Sequence, residues 1–193
     1  MSKINGIYAA SVSILDENLK LDINKTIRHA ENLIKSGCHG VVIFGSTGQS
    51  QLISLEEKFE LIQSISKSKF KDKFIVGTGL NSLQDTISLI KISNSYNFNN
   101  FLIMPPAYYM YEDKDVIRFY IKLIEKLSNC KIILYNFEKL SGYKFSKESV
   151  EKLASLFPEN IIGVKDSSYN LFEHLKLKNF SILPGSELKL LKG

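Results

Sequence analysis

Short apolar runs alternate along the chain with longer segments whose apolar residues recur every three or four positions. The runs are rich in β-branched residues and predict buried strands. Strands are expected at residues 6–12, 40–44, 74–77, 101–104, 131–135, 161–165 and 180–183. The longer segments predict amphipathic helices at residues 23–36, 54–65, 82–95, 114–127, 147–156 and 171–175. Two local signals mark helix ends: Gly37 follows the first helix, and Ser54 with Glu57 forms a capping-box pattern before the second.

Seven strands separated by helices predict βαβ units and therefore a parallel sheet of the α/β class. Either a (β/α)8 TIM barrel or an open doubly wound sheet would satisfy this pattern. No Gly-x-Gly-x-x-Gly sequence follows the first strand, as a dinucleotide-binding doubly wound fold would need. Polar or aromatic residues instead follow several strands, at Ser46-Thr47, Tyr108, Tyr135 and Lys165. A barrel would gather these positions at one mouth, where barrel active sites lie, so the barrel is favoured.

The composition supports a single globular domain over residues 1–193, with 44% hydrophobic residues and no apolar run of membrane-spanning length. The formal charge of +5 is spread over helix-like segments, and its densest cluster, residues 67–73, predicts a solvated loop rather than a nucleic-acid site. The two cysteines and three histidines show no disulfide or metal-ligand spacing. A cytoplasmic enzyme or binding protein is therefore expected, without a nucleic-acid or membrane partner and without a bound metal.

Lys165 ends the apolar segment 161–165, where a charged amine is costly to bury. Its side chain either extends into solvent or has a chemical role. The role that suits a lysine of lowered pKa is nucleophilic attack on a carbonyl. Tyr135 ends the preceding strand and either packs in the core or exchanges protons during such chemistry. Ser46 and Thr47 form either a tight turn or a cradle of hydroxyls and backbone N–H groups for a carboxylate.

Four short sequences occur in a defined order: Gly-Ser-Thr-Gly at 45–48, Pro-Pro-Ala-Tyr-Tyr at 105–109, Tyr-Asn at 135–136 and Gly-Val-Lys-Asp at 163–166. Together they resemble the dihydrodipicolinate synthase/N-acetylneuraminate lyase family of class I pyruvate-dependent aldolases, from about residue 5 to the last residue. The resemblance implies a (β/α)8 barrel, a homotetramer and an enzyme of carbon–carbon lyase type. It also implies that pyruvate or another 2-oxo acid binds as a covalent imine, with no metal or organic cofactor.

The same resemblance assigns roles to individual residues. Lys165 matches the Schiff-base lysine, and Tyr135 matches the tyrosine that relays protons as the imine forms and the carbon–carbon bond is made or broken. Tyr108 aligns with a tyrosine that reaches into the site of a neighbouring subunit and completes the proton relay. Ser46 and Thr47 match the pair that holds the pyruvate carboxylate.

Substrate choice within the family depends on an arginine in Tyr-Asn-x-Pro-x-Arg-x-Gly, which binds the carboxylate of aspartate semialdehyde. Leu140 stands at the arginine position here, and Glu138 stands at the proline position. A leucine cannot make a bidentate carboxylate contact, so an aldolase for 2-keto-3-deoxy sugar acids or N-acetylneuraminate is expected. Its substrate-binding residues would include Gly185, which aligns with a pocket glycine, and Ser167, a candidate contact for the second substrate. The alternative is 4-hydroxy-tetrahydrodipicolinate synthase, which acts through the same imine mechanism.

Two features depart from the family pattern. Gln49 replaces a glutamate after Gly-Ser-Thr-Gly and keeps a hydrogen-bonding side chain, so this change is not expected to abolish activity. The sequence also stops soon after the seventh strand, so strand eight and the C-terminal helices are expected to be missing and the barrel to be incomplete. The isolated chain is then expected to be unstable or inactive. A non-catalytic remnant of the family is a further alternative.

Overall fold

A computed structural model of the chain describes residues 4–127, 129–186 and 188. Its contacts define two compact units, the first spanning Asn5–Leu102 and the second containing Ile4 and the described residues from Ile103 onward. The first unit alternates strands with helices, as the hydrophobic pattern predicts, whereas in the second unit the last two strands follow each other without a helix between them. The prediction of a single domain over residues 1–193 stays a prediction.

The first unit contains, in chain order, β1 (Tyr8–Ala10), α1 (Ile23–Lys35), β2 (Gly40–Ile43), α2 (Leu55–Ile65), β3 (Phe74–Gly77), α3 (Leu83–Ser95) and all but the last residue of β4 (Asn100–Ile103). The strands pair in parallel, β1 with β2, β2 with β3 and β3 with β4. Every residue of β2 and β3 is buried. Burial on both faces explains why these strands are continuously apolar rather than alternating between apolar and polar residues.

The helix ends of the first unit follow the local signals. Ser54 Oγ accepts a hydrogen bond from the Glu57 backbone N–H at 3.2 Å, and the Glu57 carboxylate accepts one from the Ser54 N–H at 2.9 Å. The predicted capping box before α2 is therefore confirmed. Asp22 caps α1 through its carboxylate. Gly37 follows α1 with φ +108°, a conformation that glycine adopts without the steric cost of a side chain.

The second unit contains, in chain order, α4 (Asp113–Ile124), β5 (Lys131–Asn136), α5 (Glu138–Ser141), α6 (Lys147–Leu156), β6 (Ile161–Asp166) and β7 (Ser181–Pro184). Strand β6 pairs in parallel with both β5 and β7. A Cβ added to Gly163 of β6 would lie 2.5 Å from the Ser181 carbonyl oxygen of β7. Glycine at this position therefore permits the close approach of the two strands.

One predicted helix of the second unit was wrong, and another helix of this unit was missed. The predicted helix at 171–175 is a single turn, in which the Leu175 N–H donates to the Leu171 carbonyl at 2.9 Å. The N–H groups of Leu171 and Phe172 donate instead to the Asp166 carboxylate, so the segment begins as a side-chain-anchored loop. The short helix α5 was not predicted, because four residues are too few to display helical periodicity.

The order of the strands decides between the two predicted architectures. In each unit the paired strands follow one another along the chain, without the reversal that marks the switch point of a doubly wound sheet. This is the strand order of a (β/α)8 barrel, and the described residues supply seven of its strands. The predicted class, an α/β barrel with an incomplete set of strands, is confirmed. None of the helices in the described ranges is long and apolar enough to cross a membrane.

Candidate active site

Lys165 and Tyr135 meet at the ends of two neighbouring strands. Parallel pairing of β5 with β6 places the two residues directly opposite each other. The Lys165 Nζ donates a hydrogen bond to the Tyr135 hydroxyl at 3.3 Å and lies 4.4 Å from the centroid of its ring. Tyr135 is buried, at 4% exposure, whereas Lys165 is half-buried, so part of its side chain is exposed to solvent. The pair thus joins an amine to a phenol at a distance that allows proton exchange between them.

Ser167 and Gly185 are also brought together, in the segments that follow β6 and β7. The Ser167 N–H donates to the Asn136 carbonyl at 2.8 Å, and the Gly185 N–H donates to the Asp166 carbonyl at 3.1 Å. A Cβ added to Gly185 would lie 2.8 Å from the Ser167 Cβ, closer than real side chains approach. Gly185 is therefore needed for the close approach of the two segments, while its role as a ligand-lining glycine stays a prediction.

Tyr108 is not packed against the Lys165–Tyr135 pair. Its side chain is 89% exposed in the loop after β4, and its ring lies edge-on to that of Tyr109 with centroids 5.1 Å apart. The backbone of Tyr108 has φ +86°, a strained conformation for a residue with a side chain. Met110 beside it is equally exposed. The predicted role of Tyr108 in the site of a neighbouring subunit is not tested by a single chain and stays a prediction.

Ser46 and Thr47 belong to the first unit and lie in the loop that follows β2. Both are exposed, and two non-glycine residues of positive φ flank them, Phe44 at +54° and Gln49 at +50°. Such conformations cost free energy and persist only where surrounding contacts hold them. A Cβ on Gly48 would lie 3.0 Å from the Ser11 carbonyl oxygen, so the loop also packs tightly against its own unit. The loop is thus held in a defined shape with its two hydroxyl-bearing residues exposed.

Sequence reasoning missed Lys58, which anchors the end of this loop. Lys58 lies on α2 and is fully buried. Its Nζ donates to the carbonyl oxygens of Ser50 at 2.8 Å and Ile53 at 3.0 Å, and the Ser50 hydroxyl donates to the Thr78 carbonyl at 3.0 Å. Burial lowers the pKa of Lys58 to about 8, although the charges of nearby carboxylates oppose the effect. The sequence signal for this role is positional, because Lys58 precedes the apolar Leu61 and Ile62 by three and four residues and so lies on the buried face of α2.

Asn136 and Asp166, which directly follow Tyr135 and Lys165, also had no predicted role. Both are fully buried, and the Asn136 side-chain amide donates to the Asp166 carboxylate at 2.8 Å. The sequence does contain a signal for them. Asn136 and Asp166 are polar residues that extend buried strands by one position, directly after Tyr135 and Lys165.

Leu140 lies on α5 and is 46% exposed. Glu138 on the same short helix pairs with Lys144 at 3.0 Å. The structure therefore leaves an apolar side chain accessible at the position where the family pattern has an arginine.

Cys38 and Cys130 are free thiols. Within the described residues, no three His, Cys, Asp or Glu side chains are grouped so that they could hold a metal ion.

Comparison with known protein families identifies the family of this chain. The model of the Dihydrodipicolinate synthetase family matches residues 3–192. The chain belongs to this family. Among curated relatives, 4-hydroxy-tetrahydrodipicolinate synthase of Karelsulcia muelleri is 27% identical over 97% of this chain and 65% of the relative. The enzyme of the same name from Listeria monocytogenes serotype 4b is 35% identical over 76% of this chain and 50% of the relative.

Solved structures of the dihydrodipicolinate synthetase family have the same fold. Dihydrodipicolinate synthase from Agrobacterium tumefaciens matches with a TM-score of 0.88 and 26% identity, over 97% of this chain and 68% of that one. The 4-hydroxy-tetrahydrodipicolinate synthase of Methylacidiphilum fumariolicum matches with a TM-score of 0.86 and 28% identity, over 98% of this chain and 64% of that one. The chain spans between half and two thirds of the length of the two curated relatives named above.

Proposed function

We propose that this chain carries the imine-forming centre of a pyruvate-dependent enzyme, a carbon–carbon lyase of the class I aldolase type. The observation that carries the proposal is the 3.3 Å hydrogen bond from the Lys165 amine to the buried Tyr135 hydroxyl. An amine that is half-buried beside a phenol is placed to act as a nucleophile with a proton-transfer partner. Membership of the dihydrodipicolinate synthetase family supports the same chemistry.

In the proposed reaction, the neutral Lys165 amine attacks the keto carbon of pyruvate and forms a carbon–nitrogen bond. The keto oxygen takes up a proton as the carbinolamine forms, and a second proton allows it to leave as water when the imine forms. Tyr135 exchanges these protons through its hydroxyl. Loss of a proton from the pyruvate methyl group then gives an enamine, whose carbon attacks an aldehyde; the reverse sequence cleaves the product.

The remaining sequence-predicted residues complete this proposal. Ser46 and Thr47 would hold the pyruvate carboxylate through hydroxyl and N–H groups, since both are exposed on a loop of defined shape. Tyr108, with its 89% exposed side chain, would act in the site of a neighbouring copy. We propose a cytoplasmic homotetramer that needs no metal or organic cofactor, as the family resemblance implies.

For the second substrate, we propose aspartate semialdehyde, so that the reaction is that of 4-hydroxy-tetrahydrodipicolinate synthase. The names of the curated relatives support this reaction better than the aldolase that the sequence alone favoured. One observation favours the second candidate, an aldolase for a 2-keto-3-deoxy sugar acid or N-acetylneuraminate. Leu140 is exposed at the position of the family arginine and cannot bind a carboxylate.

Borohydride reduction in the presence of pyruvate tests the imine directly, followed by peptide mass spectrometry. We expect a reduced pyruvyl adduct on Lys165 that disappears in Lys165→Ala and remains in Lys139→Ala, a matched change of an exposed lysine. A folded protein that gives no adduct would contradict the proposal and favour the non-catalytic alternative. If the adduct forms, consumption of aspartate semialdehyde with pyruvate distinguishes the synthase from the aldolase, which would instead release pyruvate from a 2-keto-3-deoxy acid.

A further inference from the structure

A buried polar network lies one residue beyond the Lys165–Tyr135 pair. The parallel register that sets Tyr135 opposite Lys165 also sets Asn136 opposite Asp166. Asn136 and Asp166 both have 0% exposure. The Asn136 amide nitrogen donates to Asp166 Oδ1 at 2.8 Å and to Asn170 Oδ1, also at 2.8 Å. The two strand ends are thus joined by side chains as well as by the backbone.

The Asp166 carboxylate organises the loop that follows β6. Its Oδ1 also accepts the Tyr169 N–H at 2.9 Å, and its Oδ2 accepts the N–H groups of Leu171 and Phe172, each at 2.9 Å. Hydrogen bonds from N–H groups to a carboxylate are stronger than those between neutral groups, and here they offset the cost of burying the charge. The single carboxylate therefore fixes the direction in which the chain leaves β6.

The Asn136 side chain holds the end of β5 through hydrogen bonds, as Asp166 does at the end of β6. Its Oδ1 accepts the Phe145 N–H at 3.1 Å, while the Asn170 amide donates to the Phe145 carbonyl at 2.8 Å. The Asn136 side chain is therefore held by both its donor and its acceptor groups, and it contacts the segment between α5 and α6. A side chain bonded at both ends resists rotation or translation of the strand end that carries it.

We propose that Asn136 and Asp166 are positioning residues that hold the ends of β5 and β6 so that the Lys165 amine meets the Tyr135 hydroxyl. This inference rests on the proposed function. Because successive side chains of a strand point to opposite faces, the network supports the reactive pair from the other face of the sheet and does not contact the substrate. Misplacement of reacting groups by about 1 Å can cost about 100-fold in rate, so loss of the network should act on the chemical step.

The test substitutes Asp166→Asn, which keeps the size of the side chain but replaces one acceptor oxygen with a donor. Asn170→Ala serves as a milder second variant if Asp166→Asn does not fold. The matched control is Asp113→Asn in the same unit, where the Asp113 carboxylate accepts hydrogen bonds from the Tyr143 and Ser146 hydroxyls. For each variant, the rate of borohydride trapping at Lys165 is measured against pyruvate concentration, together with the unfolding midpoint in urea.

We expect Asp166→Asn to lower the maximal trapping rate by about 10- to 100-fold, with less than about a threefold change in the half-saturating pyruvate concentration. Asn170→Ala should show the same pattern with a smaller loss. Asp113→Asn should lower the unfolding midpoint and leave the maximal rate of the folded protein within about threefold of the wild type. A wild-type rate in folded Asp166→Asn, or an equal loss in Asp113→Asn, would overturn the inference.

A second measurement separates this inference from the proposed function. Brief acetylation without pyruvate, followed by peptide mass spectrometry, gives the reactivity of Lys165 relative to Lys139 in the same sample. If the wild type traps no pyruvate, the proposed function fails, and the acetylation ratio then decides the inference. A change of about threefold or more in that ratio in Asp166→Asn, but not in Asp113→Asn, would support a positioning role. An unchanged ratio would overturn it.

Discussion

Lys58 has a buried amine. Because burying the charged form of this amine costs free energy, the stability of the protein is expected to depend on pH. The side chain is fully buried, and its Nζ lies 5.8 Å from the centroid of the Phe44 ring while it donates to the Ser50 and Ile53 carbonyls. Burial lowers the pKa of Lys58 from 10.5 to about 8, and the negative charges of Glu57 and Asp85 oppose that shift. The folded protein therefore holds this proton less tightly than the unfolded chain does.

The sign of the effect follows from proton linkage. Between the folded and the unfolded pKa values the unfolded chain binds more protons, so the free energy of unfolding rises with pH. The difference between a pKa of 10.5 and one of about 8 corresponds to about 3 kcal/mol in total. About 2 kcal/mol of this is recovered between about pH 8 and pH 10. A neutral amine keeps two N–H donors, so both carbonyl hydrogen bonds survive deprotonation.

Urea unfolding of the wild type and of Lys58→Met over this pH range measures the linkage. The variant leaves the Ser50 and Ile53 carbonyls without the Lys58 donor, which gives a loss of stability that does not depend on pH. On top of that loss, the wild-type free energy of unfolding should rise by about 2 kcal/mol relative to the variant from about pH 8 to pH 10. Burial raises the pKa of Tyr120, whose ionisation on unfolding acts in the opposite direction above about pH 10.

Lys139→Met is the matched control, because Lys139 is exposed. The difference between the wild type and this control should not change with pH over the same range. A wild-type-minus-Lys58→Met difference that is equally flat would refute the argument, since it would mean that Lys58 titrates in the folded protein as it does in the unfolded chain.

Three further predictions concern the candidate site. Tyr135→Phe should slow pyruvate trapping at Lys165 by at least about 10-fold, because the proton-transfer hydroxyl is lost, and an unchanged trapping rate would contradict its role. Gly185→Ala should raise the half-saturating pyruvate concentration in the trapping assay, because the added Cβ meets the Ser167 side chain; a second change, Ser167→Gly, should restore it in part. Leu140→Arg should increase consumption of aspartate semialdehyde with pyruvate, since arginine can bind its carboxylate, and a lower rate would argue for the 2-keto-3-deoxy acid aldolase.

Much of the fold could be predicted because its signals are local. Continuous apolar runs placed the strands to within one or two residues, and β3 and α6 were predicted to the residue. The capping box at Ser54 depends on a residue three positions away, so the sequence shows it directly. The meeting of Lys165 with Tyr135 followed from two strand ends and the expectation of a barrel, since neighbouring parallel strands bring their carboxyl ends to one edge.

The features that prediction missed depend on contacts between residues far apart in the sequence. The partners of the Asn136–Asp166 hydrogen bond are 30 positions apart, and the bonds from Asp166 to the following loop replaced the helix expected at 171–175. Lys58 can be buried because backbone carbonyls in the preceding turn accept hydrogen bonds from its amine. Helical periodicity does not reveal these contacts. The sequence alone determined the strands, most of the helices and the choice of Lys165 and Tyr135 as candidate site residues. The tertiary structure decided which polar groups are buried beside them, because a buried polar group is stable only where folding supplies its hydrogen-bond partners.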